Sequence, residues 1–152
     1  MSLLDTAIRT THLLFAALWV GSVLFVTLAV LPAARDGHLN ADPLERITGS
    51  LTTISRASAA VLFLTGGHMA ATGYPGRNLL ETTNGNLVLV MLALWLVLAA
   101  LVEVGSSKLT DGLQQKKVRA PAREYLSLFR AASVVGILLL VDAGLISTNA
   151  LI

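Results

Sequence analysis

Two histidines lie inside long apolar runs, His12 in TTHLLFAALWVGSVLFVTLAVLP and His68 in AAVLFLTGGHMAATG. An ionisable, metal-binding side chain is costly inside a bilayer, so its default reading there is functional. Neutral imidazole is a good ligand for iron, copper and zinc. Two imidazoles that can meet therefore point to a haem iron or a copper ion. Asp142, in ILLLVDAGLIS, is a carboxylate that needs a partner in such surroundings, and Met91 offers a thioether. Asp142 could orient one imidazole through its second nitrogen, as carboxylates do beside metal-bound histidines.

These residues need elements to hold them, and composition says which. The chain of 152 residues is 55% hydrophobic and 13% charged, with mean hydropathy +0.74, against roughly 25% charged for a soluble domain. Four apolar runs follow one another: about Ala7 to Leu31, closed by Pro32; about Ala57 to Thr72, ending at Gly73-Tyr74-Pro75-Gly76; about Leu87 to Val104; and about Leu126 to Ser147. With a start a turn or two earlier for the second, each matches the ~17–25 residues that cross a hydrocarbon core. Backbone groups in lipid must pair within their own segment, so the runs are helices. The first is too long for a signal-peptide core of ~7–15 residues and is read as retained.

The expected fold class is therefore all-α, an integral membrane four-helix bundle forming a single domain over residues 1–152. Asp42-Pro43-Leu44-Glu45 reads as a helix start with Asp42 as N-cap, and Leu44, Ile47, Leu51 and Ile54 recur at helical spacing. An amphipathic segment should thus lead straight into the second helix. Nine basic residues (Arg35, Arg46, Arg56, Lys108, Lys116, Lys117, Arg119, Arg123, Arg130) flank one side and two (Arg9, Arg77) the other. That asymmetry puts the longer loops in the cytoplasm and both termini outside, in a multi-pass protein of the cell (plasma) membrane. The absence of cysteine excludes disulfides, thiolate ligands and covalent c-type haem. No nucleic-acid motif appears, so the partners to expect are the lipid bilayer, a quinone, a porphyrin or copper, with a homo-oligomer left open.

Rise per residue then sets depth. His12 lies ~8 Å inside Ala7, His68 ~8 Å inside Gly73, Asp142 ~9 Å from Thr148 and Met91 ~6 Å into the third helix, all from the outer face. One polar or ligating group from each helix falls in one layer. Glu103 stands apart, near the cytoplasmic end of the third helix, where it can snorkel or pair with Lys108. A b-type haem between helices 1 and 2 would use His12 and His68 as axial ligands, Trp19 as an aromatic wall, and Arg9 and Arg77 at the rim for its propionates. A copper site would use His12 and His68 with Met91 or Met69 as the soft ligand. Haem is preferred, because no methionine-rich stretch suggests copper handling. A third reading is a non-catalytic membrane accessory subunit, in which Asp142 and the histidines only hold helices together.

The segment from His12 through Trp19 and Gly21 to Arg35 resembles the first helix of the CopD-like superfamily. That group joins copper-resistance D membrane domains with HemJ-type protoporphyrinogen oxidases. The pair Thr65-Gly66 is also similar to the copper-resistance pattern. The resemblance implies a small membrane bundle that binds haem b or handles copper. For the oxidase branch it implies haem-dependent oxidation of protoporphyrinogen IX with His12 as haem ligand. That branch carries a basic residue within the third helix, where NLVLVMLALWLVLAALVEVG has none.

Overall fold

A backbone in hydrocarbon must satisfy its own polar groups, and this chain does so with four long helices. In the computed structural model, which describes residues 2–151, they are α1 (Leu3–Arg35), α2 (Ala41–Gly73), α3 (Thr83–Gln114) and α4 (Arg119–Thr148). A single turn, Asn78–Glu81, lies between α2 and α3, and no strand occurs among the described residues. The helices pack as a closed ring, α1 on α2, α2 on α3, α3 on α4 and α4 back on α1. Short connections make neighbours antiparallel. The start of α1 and the end of α4 share one end of the bundle, and the basic loops share the other.

Helix ends differ from the apolar runs for identifiable reasons. α1 starts at Leu3, ahead of Ala7, because Ser2 and Asp5 form a capping box: the Asp5 N–H donates to Ser2 Oγ (3.1 Å) and the Ser2 N–H to the Asp5 carboxylate (3.0 Å). Pro32 does not close this helix. A wide π-turn over Val26–Val30 precedes it, with the Leu31 N–H on the Val26 carbonyl, and takes up the missing proline donor. The helix ends at Gly37, whose φ of +86° closes a Schellman motif with the His38 N–H on the Ala33 carbonyl (2.9 Å). Asn40 rather than Asp42 is the N-cap of α2, and the amphipathic segment and second span form one unbroken helix. α3 continues past Val104 to Gln114, and α4 begins at Arg119 rather than Leu126.

The seam between α3 and α4 has a constant register. At the outer end Asn84 Nδ2 donates to Asn149 Oδ1 (2.6 Å); at the inner end Gly112 lies against Pro121, and Gly105 lies against the Phe129 ring between them. Asn84 to Gly112 and Pro121 to Asn149 are equal lengths of helix. In this register Glu103 is level with Arg130, both ~28 Å inward of the asparagine pair. Glu103 pairs across to Arg56 of α2, Nε to Oε2 at 3.2 Å with a second contact from Nη2, and not to Lys108. Arg56, Glu103 and Arg130 are all exposed at the bundle surface. They form a charged belt whose distance from the asparagine pair matches the ~30 Å of a hydrocarbon core.

The apolar core lies mostly inward. Trp19, Val23, Leu44, Leu51, Leu98, Leu109, Leu113 and Phe129 are buried. Outward of Trp19, Leu62, Leu98 and Gly136, the buried residues among those described are Asn84, Gly85 and Asp142. Close approach at the inner seam depends on Gly112. A Cβ there would stand 2.8 Å from Pro121 Cβ, whereas Gly144 has open space around it. Gly112→Ala should lose about 1–3 kcal/mol through overpacking. Thermal unfolding in detergent micelles should show a lowered midpoint for Gly112→Ala and none for Gly144→Ala.

Candidate metal centre

His12 and Trp19 are one heptad apart on α1 and both face α2. Trp19 is 0% exposed, and its Nε1–H donates to Ser55 Oγ (2.8 Å), closing the seam below the histidine. His12 is half-buried, with Nδ1 2.7 Å from Thr65 Oγ1. The Thr65 hydroxyl donates its only proton to the Val61 carbonyl of its own helix (2.7 Å). It can therefore only accept from His12, so the network assigns the proton of the neutral ring to Nδ1. Nε2 keeps a free lone pair, the donor a metal needs.

Thr65 thus gives His12 the kind of hydrogen bond that Asp142 was expected to give one of the imidazoles. Gly66 follows it for a steric reason: a Cβ there would lie 3.2 Å from His12 Cε1. The absence of a side chain lets the imidazole lie against α2 with Nδ1 held and Nε2 left over.

The other expected residues divide between two seams. His68 is exposed, on the same helix as Thr65 but three residues further out, ~4.5 Å. His12 and His68 therefore do not share a depth, because the capped start at Leu3 places His12 deeper in α1 than a start at Ala7 would. Arg9 and Arg77 are both exposed. Asp142 is 5% exposed, with no hydrogen-bond partner for Oδ2. The α3–α4 register sets half-buried Met91 opposite it, one heptad inward of Asn84 and Asn149. On α1 and α4, Gly136 meets Val20 and the Phe129 carbonyl accepts from Thr27 Oγ1 (3.1 Å), which brings His12 and Asp142 within one helical turn in height. They nonetheless occupy opposite seams of the ring. Among the described residues no three His, Cys, Asp or Glu side chains cluster.

This arrangement does not fit a haem between α1 and α2. The two helices touch directly there, through His12 on Thr65 and Gly66 and through Trp19 on Ser55. A porphyrin would have to part both contacts, and His68 does not face His12 at its level across the seam.

The family model described as Copper resistance protein D matches residues 45–146, most of the chain. The matched span contains Thr65, His68, Met91 and Asp142, while His12 precedes it. No curated protein and no solved structure matches the chain. The assigned ring state can be tested directly. ¹⁵N spectra of the imidazoles should show His12 protonated at Nδ1 and bare at Nε2. Thr65→Ser should preserve that pattern, and Thr65→Val should shift it toward the mixed tautomers of a solvated ring.

Proposed function

The chain belongs to the copper resistance protein D family of membrane proteins, and from this we propose that its cargo is a copper ion received from the outer face by His12. The carrying observation is the 2.7 Å contact of His12 Nδ1 with the Thr65 hydroxyl, which in turn donates to Val61 and so supports a ring that leaves Nε2 free as a donor to metal. His68, a turn further out and exposed, is the first imidazole an incoming ion meets. Met69 follows His68 on α2, is half-buried, and lies one turn outward of Thr65, so a thioether is available beside His12 for Cu(I). Inward of this point, Ser58 Oγ and Ser106 Oγ are buried without partners and offer polar stations toward the cytoplasmic end. The ion is cargo in this reading, and the protein's work is to bind, orient and release it.

Purified protein in detergent, titrated anaerobically with Cu(I) against a coloured chelator, tests the assignment. His12→Gln should abolish the His12-dependent binding. Thr65→Val should weaken it by about 10–100-fold, the usual cost of losing a group that orients a metal-bound histidine. Unchanged affinity in a protein lacking both His12 and His68 would sink the proposal.

A further inference from the structure

On the seam opposite His12, the α3–α4 register sets a buried carboxylate level with a thioether. We infer that Asp142 and Met91 form a second cation subsite, between α3 and α4, that holds a cuprous ion and neutralises its charge inside the membrane. The inference rests on the copper reading above and extends it from one ligand to two separate stations.

Asp142 is 5% exposed, Oδ2 has no hydrogen-bond partner, and no cationic side chain pairs with it among the described residues. A buried carboxylate left in that state is unfavourable and needs a proton or a cation in place of a partner. Three observations select the cation. Met91 lies opposite in the register fixed by Asn84–Asn149 and Gly112–Pro121, and a thioether selects a soft ion such as Cu(I) over sodium or magnesium. Asn84, 6% exposed, has a second unpartnered acceptor, Oδ1, one heptad outward on the same face, ~10 Å away along the helix. Outward of Leu62, Leu98 and Gly136, the buried residues among those described are Asn84, Gly85 and Asp142, so no fully buried apolar side chain stands between Asp142 and the outer end.

The charge balance also suits a monovalent ion. One carboxylate and one Cu(I) make a neutral pair, which lowers the cost of holding either at depth. The other titratable group at this height is His12, on α1, and it is engaged with Thr65 at the far seam. Arg9, further out on α1, is exposed.

The same anaerobic Cu(I) titration, now read for stoichiometry, separates the two claims. Wild-type protein should bind two equivalents. Asp142→Asn, an uncharged near-isostere that keeps the shape of a protonated carboxyl, should bind one, and Met91→Leu should do the same. His12→Gln should lose the other equivalent and keep the one at Asp142. If Asp142→Asn or Met91→Leu retains both equivalents, the second subsite is overturned while the His12 reading stands. Wild-type protein that binds no Cu(I) overturns both. Met91→Leu conserves core volume, so the test does not depend on how well the aspartate variant folds.

Discussion

Everything in this bundle is placed by the seam between α3 and α4. Lipid is as apolar as a leucine side chain, so helices in a membrane associate through close packing and interhelical hydrogen bonds. Gly105 and Gly112 let α3 approach Phe129 and Pro121, and the Asn84–Asn149 bond fixes the far end. With both ends pinned, no slip of the register is open to the residues between them. Glu103 must then be level with Arg130, and Asp142 level with Met91. A slip of one turn would carry the carboxylate past the thioether and drag the charged belt off the membrane boundary.

The other seams use hydroxyl groups as their polar glue. Thr27 shares its one hydroxyl proton between the Val23 and Phe129 carbonyls and accepts from Ser133 (2.9 Å), tying α1 to α4. Ser55 accepts from Trp19, and Thr65 accepts from His12, tying α1 to α2. A threonine hydroxyl whose single proton is committed to its own helix can only accept from a further polar group. Thr65 shows how that local bond decides the chemistry of a residue on a neighbouring helix.

Much of this was legible from residue types alone. Four spans, the ring of antiparallel neighbours and the end that carries the basic loops follow from apolar run length and charge placement. Met91 and Asp142 fall at the same level once the α3–α4 register is known, with Asp142 counted from the true end of its helix at Thr148 and Met91 from Leu87, four residues inside the true start at Thr83. The equal depth of His12 and His68 did not survive, because hydropathy locates Ala7 as the start of an apolar run but does not weigh the Ser2–Asp5 cap. Pro32 misled for a similar reason: a wide turn can absorb a missing donor, and nothing in composition announces one. Arg56 was counted as a loop residue because charge outweighs helix continuity in a hydropathy reading. Its pairing with Glu103 depends on a helix-to-helix register that no single span contains. The Thr65 hydroxyl was visible beside Gly66, yet its role needs the three-dimensional opposition of α1 and α2.

The charged belt lies well short of the inner helix ends. Beyond Glu103, α3 runs on to Gln114, ~16 Å further, and Leu44, Leu109, Leu113 and Ala122 are buried around it. The molecule therefore has two differently stabilised halves on one set of helices. The inner part holds the packed apolar core, whose cohesion comes from apolar burial and is weakened by urea and by cooling. The outer half has lipid instead of water to exclude, and its cohesion is set by packing and by the surrounding bilayer. Chaotropes and changes of lipid thus act on opposite ends of the same rods, and His12 and Asp142 lie in the half that answers to the membrane.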